Sequence, residues 1–246
     1  MNEEEQSSSI LIATQRGALP ILLTAPHGGY KAILGASIRK KGCVTSDLRT
    51  LEFTQLVNEE LIKLTGEKPY LVLAEFQRKY LDVNRMQKNA MDPDIDNQAA
   101  ECIYHEYHRI ISTFTRELKA ACKNALLIDV HGQGASATTI FRGTSNLKTV
   151  SRLIDEFGIE SMTGNQSICG LLQQNGYSID PAGNQEEDSR FGGGYTVRTY
   201  GSHQESGINA IQLELGSNFR FEQQEQCARD LAKAIVVFSD KYLRSK

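Results

Sequence analysis

The chain alternates short apolar runs with amphipathic stretches, and this alternation constrains the fold more than any other feature. The runs Ile10 to Ala13, Ile21 to Ala25, Tyr70 to Ala74, Ala125 to Asp129, Thr138 to Phe141 and Ile208 to Leu215 are bounded by Gly, Asn, Pro or polar residues. Short apolar runs bounded in this way are expected to be buried strands. Between them lie helical patterns. Residues 47–64 place Leu48, Leu51, Leu56, Leu61 and Leu64 near one another on a helical wheel, behind Ser46 or Asp47 as N-cap. Residues 98–122 carry Ile103, Tyr107, Ile110, Phe114 and Leu118 on one stripe, 147–157 form a shorter helix that stops at Gly158, and a last helix runs from about Gln223 to Leu243. Strands alternating with helices predict an α/β fold: one domain with a mixed, mostly parallel central sheet and helices on both faces. With 246 residues, one large core is possible without staples. Residues 1–9 read as a flexible polar N-terminus, leaving 10–246 as a single catalytic domain. Gly176 to Gly194, rich in Gly and Asn, reads as a long loop and a candidate lid.

Charge narrows the function. Lys and Arg total 27 against 30 Asp and Glu, a net charge of −3, which argues against a nucleic-acid partner because phosphate neutralisation needs a basic face. Five cysteines are scattered and none forms a C-x-x-C pair, the pattern of free thiols in a reducing compartment. No run approaches 18 apolar residues, and the N-terminus lacks a basic start followed by an apolar stretch. A cytoplasmic protein with no membrane partner is expected.

In open sheets of this kind, sites form beyond the carboxyl ends of the strands. Two of the five histidines stand there: His27 after the second run, and His131 in Ile128-Asp-Val-His-Gly. Each is followed by glycine, which lets a neighbour approach closely. Two imidazoles converging from two strand ends could hold a metal; either could equally be a hydrogen-bonded loop histidine. Asp129 projects from the strand on the same side as His131, as an orienting acceptor or a strand-end cap. Glu214 is the one acid in an apolar strand; burial raises a carboxyl's proton affinity and suits a general base, unless the side chain points to solvent. Arg78, Asp82, Asn84 and Arg85 crowd one loop, as an oxyanion and carboxylate site or a surface ion-pair cluster. His105 and His108, three apart on the 98–122 helix, read mainly as packing residues. The chain lacks the G-x-S-x-G nucleophile elbow and both the P-loop and dinucleotide fingerprints.

Together, Thr24-Ala-Pro-His27-Gly-Gly, Ser46-Asp47, Arg78-Lys-Tyr-Leu-Asp-Val-Asn-Arg85, Ile128-Asp-Val-His131-Gly, Gly193-Gly-Tyr-Thr-Val-Arg198-Thr-Tyr-Gly201 and Ile211-Gln-Leu-Glu214 resemble the N-formylglutamate amidohydrolase family. That family looks like a branch of the zinc carboxypeptidase and aspartoacylase-type hydrolases. The resemblance implies a carboxypeptidase-like fold and one zinc ion, or another divalent metal. It implies His27 and His131 as metal ligands. The related carboxypeptidases use a glutamate three residues after the first histidine, where this chain has Tyr30, so the carboxylate ligand comes from elsewhere: Asp47 first, Glu52 second. Arg78 would polarise the scissile carbonyl and Glu214 would be the general base. Asn84 and Arg85 would grip the substrate carboxylate, and Arg198 a second one. The implied reaction is hydrolysis of a small acidic N-acyl amino acid, N-formyl-L-glutamate foremost, to formate and glutamate. Alternatives are a zinc carboxypeptidase-like peptidase, another N-acyl or γ-glutamyl amidase, or an inactive binding protein on the same scaffold.

Overall fold

A computed structural model describes residues 11–92, 97–182 and 187–244; the polar N-terminus and part of the 176–194 segment lie outside these. Seven strands form one mixed sheet: β1 (Ile12–Gln15), β2 (Ile21–Ala25), β3 (Tyr70–Ala74), β4 (Leu126–Gly132), β5 (Thr139–Gly143), β6 (Ser178–Asp180) and β7 (Asn209–Leu215). Their order is β1-β3-β2-β4-β7-β5-β6. The inner strands β3, β2, β4 and β7 run parallel. The antiparallel pairs are β1 with β3 and β5 with β7, while β6 runs parallel to β5 at the far edge. The expected α/β single domain with a mixed, mostly parallel sheet is the observed one. β6 lies inside the segment expected to be irregular loop; three residues are too few to show a strand periodicity.

Alternation along the strands splits the core into two layers. Ile21, Leu23, Leu126, Ile128, Ile211 and Leu213 pack on one face, under α1 (Thr50–Thr65) and, once the chain has passed α2 (Gln98–Ala121), α3 (Ser151–Phe157), α4 (Ile168–Gln174) and α5 (Tyr195–Tyr200), under α6 (Gln224–Phe238). Leu22, Leu127 and Ala210 pack on the other face with Tyr107, Ile111 and Val197 of α2 and α5. The α1 stripe is rotated from the expected one: Phe53, Val57 and Leu61 are buried, while Leu48 and Leu64 are exposed. The helix starts at Thr50 behind Arg49, which holds a left-handed φ of 70°. Ser46 and Asp47 therefore precede the cap, and the Asp47 carboxylate is committed elsewhere.

Candidate metal centre

Five polar residues of the inner strands share one face near the carboxyl edge of the sheet. Thr24, Asp129 and Gln212 lie opposite one another across β2, β4 and β7, and His131 lies opposite Glu214 one step further along. All five are buried. Period-two alternation places this row on the α2 side, while the intervening Leu23, Ile128, Val130 and Leu213 hold the opposite core.

Two histidine–carboxylate dyads meet at this edge. His131 Nε2 lies 2.8 Å from Asp129 Oδ2, and His27 Nε2 lies 2.7 Å from Asp82 Oδ1. A carboxylate only accepts, so each Nε2 carries a hydrogen; Nδ1 of a neutral ring then presents a lone pair, and Nδ1 of a protonated ring donates. Both Nδ1 atoms face one oxygen, Asp47 Oδ2, at 3.4 Å from His27 and 3.2 Å from His131. The Gly132 amide donates to the same oxygen at 3.2 Å. Donor atoms of His27, Asp47 and His131 lie within 4.8 Å of one another, and the two imidazole centroids are 4.9 Å apart. These separations suit either protonated rings donating to Asp47 or neutral rings and the carboxylate around a shared cation, and a His–Asp–His set with carboxylates behind both rings fits a divalent metal. Glu52, the second carboxylate candidate, is not part of this group.

Burial acts to raise the Asp47 carboxyl, but hydrogen bonds from His131 and His27 overcome it and hold the group well below the usual carboxylate range. Burial acts to lower His131, and the Asp129 carboxylate outweighs it, holding the imidazole well above its ordinary value. Glu214 moves the other way: burial is the first cause and pushes its carboxyl up. Gln212 Nε2 donates to Glu214 Oε1 at 2.7 Å, while Gln212 Oε1 accepts the Gly194 amide at 2.6 Å. One amide thus ties the carboxylate to the glycine strip.

A cavity of about 780 Å³ opens over the cluster and is lined by His27, Asp47 and His131 together with Arg78, Asn84, Arg85 and Glu214. Arg78 is buried: Nε donates to Asp82 Oδ2 at 3.0 Å and Nη1 to Asp47 Oδ1 at 3.4 Å. Asn84 accepts the Thr196 amide at 2.8 Å, and its Nδ2 lies 3.2 Å from His131 Nε2. Arg85 is half exposed at the wall. Arg198 is not among the lining residues; it is exposed and donates to Ser145 Oγ at 3.1 Å. Arg190, Phe191 and Arg220 line the cavity and were not singled out in the sequence. His108 also stands apart, bonded to Tyr200 and Val83. The two glycines admit protein neighbours: a Cβ at Gly28 would lie 2.4 Å from the Leu51 nitrogen at the start of α1, and one at Gly132 would lie 2.7 Å from Arg220 Cζ.

These features define an α/β domain whose sheet edge carries a buried donor set able to hold a metal ion. The sequence model of the N-formylglutamate amidohydrolase family matches residues 88–219. That is more than half of the chain, which belongs to this family and is a hydrolase of the amidohydrolase type. The solved N-formylglutamate amidohydrolase of Ralstonia eutropha is similar in fold, with a TM-score of 0.61 and 15% identity over 94% of this chain and 98% of that one. A gene product of Agrobacterium tumefaciens is similar too, with a TM-score of 0.60 and 15% identity over 96% and 97%. No curated protein matches significantly. The matched segment contains His131 and Glu214 but starts after His27, Asp47, Arg78 and Asn84; the fold brings these beside it. No described helix is long and apolar enough to cross a membrane.

Proposed function

We propose that the domain spanning residues 10–246 is a metal-dependent amidohydrolase that cleaves small acidic N-acyl amino acids, N-formyl-L-glutamate foremost. The observation that carries this reading is the convergence of His27 Nδ1 and His131 Nδ1 on Asp47 Oδ2 beside the buried Glu214. His27, Asp47 and His131 would hold the ion, zinc in this reading. When bound, such an ion polarises a carbonyl and brings the pKa of water from 15.7 towards about 7. Glu214, with Oε1 fixed by Gln212, takes the proton from the attacking water and passes it to the leaving nitrogen. Its raised proton affinity suits both halves of that transfer. Arg78 Nη1, at the cavity wall, stabilises charge developing on the carbonyl oxygen. Arg85 and Asn84 bind the substrate carboxylate, Arg198 is kept as the candidate for a second one, and Arg190 supplies a further cation at the cavity wall. A cytoplasmic location belongs to the same proposal, supported by five free cysteines.

The deciding experiment measures metal content and formate release on one sample. Stoichiometric zinc and release abolished by a chelator, then restored by zinc, are expected. Glu214→Gln should lower turnover about 10²–10⁴-fold in a folded protein that retains zinc. Near-normal turnover in that variant would overturn the general-base assignment, and a stable metal-free protein without hydrolysis would favour the binding-protein alternative. The cavity lies in the upper part of the roughly 300–1,000 Å³ typical of ligand pockets, so longer N-acyl and peptidyl analogues belong beside N-formyl-L-glutamate in the assay.

A further inference from the structure

Arg220 closes a short helical turn, Ser217–Arg220, directly after β7. Its side chain is buried, and all three guanidinium nitrogens donate to backbone carbonyls. Nε donates to Leu215 O at 3.1 Å, Nη1 to Leu48 O at 2.5 Å and Nη2 to Gln133 O at 3.2 Å. These carbonyls come from three distant parts of the chain. Leu48 follows Asp47, Leu215 follows Glu214, and Gln133 stands two residues after His131. The guanidinium reaches them by lying against the backbone of Gly132, where any Cβ would fall 2.7 Å from Cζ. The Gly132 amide in turn holds Asp47 Oδ2. No ion pair among the described residues includes Arg220, although Asp47 and Glu214 are close enough to act on its charge.

We propose that Arg220 is a positioning residue, a three-way clamp that fixes the turns bearing Asp47, His131 and Glu214 relative to one another. This rests on the metal-dependent reading of the cluster for its consequence, but not for its geometry. The clamp works by direction rather than by charge: a planar guanidinium presents N–H groups along several fixed lines, and each line ends on a different turn. A lysine has the charge and donors enough, but on a single nitrogen, which cannot reach three divergent carbonyls.

The test compares wild type with Arg220→Lys and Arg220→Gln. Zinc affinity of the metal-stripped proteins is read by competition with a chromophoric chelator. Hydrogen exchange is followed at the amides of Asp47, Gln133 and Gly216, which donate to His27 O, Leu215 O and Thr139 O. Steady-state kcat and KM are measured for N-formyl-L-glutamate. Both variants should lose about 10–100-fold in zinc affinity, the range for residues that orient metal ligands. The three amides should gain exchange together while α2 stays protected. Rescue by lysine would show that charge is what matters and overturn the clamp. Unchanged exchange and zinc affinity with a raised KM would make Arg220 a substrate contact and overturn it equally. If wild type binds no zinc, the metal reading falls, and the exchange at the three turns still decides the clamp. Should both variants fail to fold, Gly132→Ala keeps Arg220 but pushes its guanidinium away. Faster exchange at Asp47 and Gly216 is expected there, since the atoms nearest the new methyl all belong to the Arg220 guanidinium; unchanged exchange would refute the proposal.

Discussion

The two histidine–carboxylate dyads have nearly the same internal distance, 2.8 Å for Asp129–His131 and 2.7 Å for Asp82–His27, yet they are supported differently. The first is built into one strand. Both residues lie in the β4 ladder with backbone partners on β7, and Asp129 Oδ1 accepts a short hydrogen bond from Thr24 Oγ1 at 2.5 Å. The second joins two loops. Asp82 Oδ1 accepts the Asn84 amide at 3.0 Å, and Oδ2 faces the guanidinium groups of Arg78, Arg39 and Arg85 at 3.0, 3.8 and 3.9 Å. The sheet backbone positions one histidine, and a buried ionic network positions the other. Equivalent ligand geometry can therefore rest on supports with very different sensitivity to charge.

The largest expected effect separates the two. Asp82→Asn leaves the buried Arg39 without its carboxylate and Arg78 with Asp47 alone, and breaking a buried pair from one side costs about 3–5 kcal/mol. Asp129→Asn strands no arginine and should cost about 1.5–3 kcal/mol, the loss of charge-assisted hydrogen bonds. Both should weaken zinc binding about 10–100-fold, so the dyads should match in affinity and differ in stability. Urea denaturation of the two metal-free variants measures the gap. Equal destabilisation would show that the arginine network does not support His27.

Acid should act on the loop dyad through its neighbour. His108 Nε2 lies 3.0 Å from the carbonyl of Val83, between Asp82 and Asn84, and Tyr104, Tyr107 and Tyr200 surround the ring. Burial, the leading cause, pushes His108 down from 6.5 to about 4. The folded pKa is below the unfolded one, so the unfolded chain binds the proton more readily. The stability contributed by neutral His108 is thus complete above about pH 6.5 and lost as pH falls towards 4, by about 3 kcal/mol in all. His108→Gln should flatten that part of the stability–pH curve. An unchanged slope between pH 6.5 and 4 would assign the acid sensitivity elsewhere.

The same contrast explains what the sequence revealed. Asp129 and His131 stand two apart in a strand, and period two places them on one side; that pairing is local and legible. Glu214 is legible for a similar reason, as the one acid in an apolar run. Asp82 stands in a conspicuous motif, but its partner His27 is 55 residues away, and no periodicity spans a gap closed by tertiary structure. Arg220 is hidden for the same reason, since its partners are carbonyls, which carry no sequence signal. Asp47 reads locally as a helix cap; the fold instead turns its carboxylate to two histidines and starts α1 three residues later. Arg198 is legible only through a motif, and a motif carries no information on how its guanidinium is directed.

The smallest predicted effect bears on how much the strand dyad needs its side-chain donor. Thr24 Oγ1 reaches Asp129 across the β2–β4 ladder; in the loop dyad the corresponding donor is the Asn84 backbone amide, which no substitution removes without proline. Thr24→Val keeps the shape of the side chain and deletes the donor. Losing one hydrogen bond to a charged acceptor costs about 1.5–3 kcal/mol, and the ladder on both sides of Asp129 should hold the loss to the lower end. If the backbone alone orients the strand dyad, zinc affinity in Thr24→Val stays within about twofold of wild type, below the range for lost orienting partners. A fall of tenfold or more, with β4 still protected from exchange, would mean that His131 depends on a side-chain chain from Thr24 through Asp129. The strand dyad would then be as network-dependent as the loop dyad, and the difference between them would lie only in where the supporting charges sit.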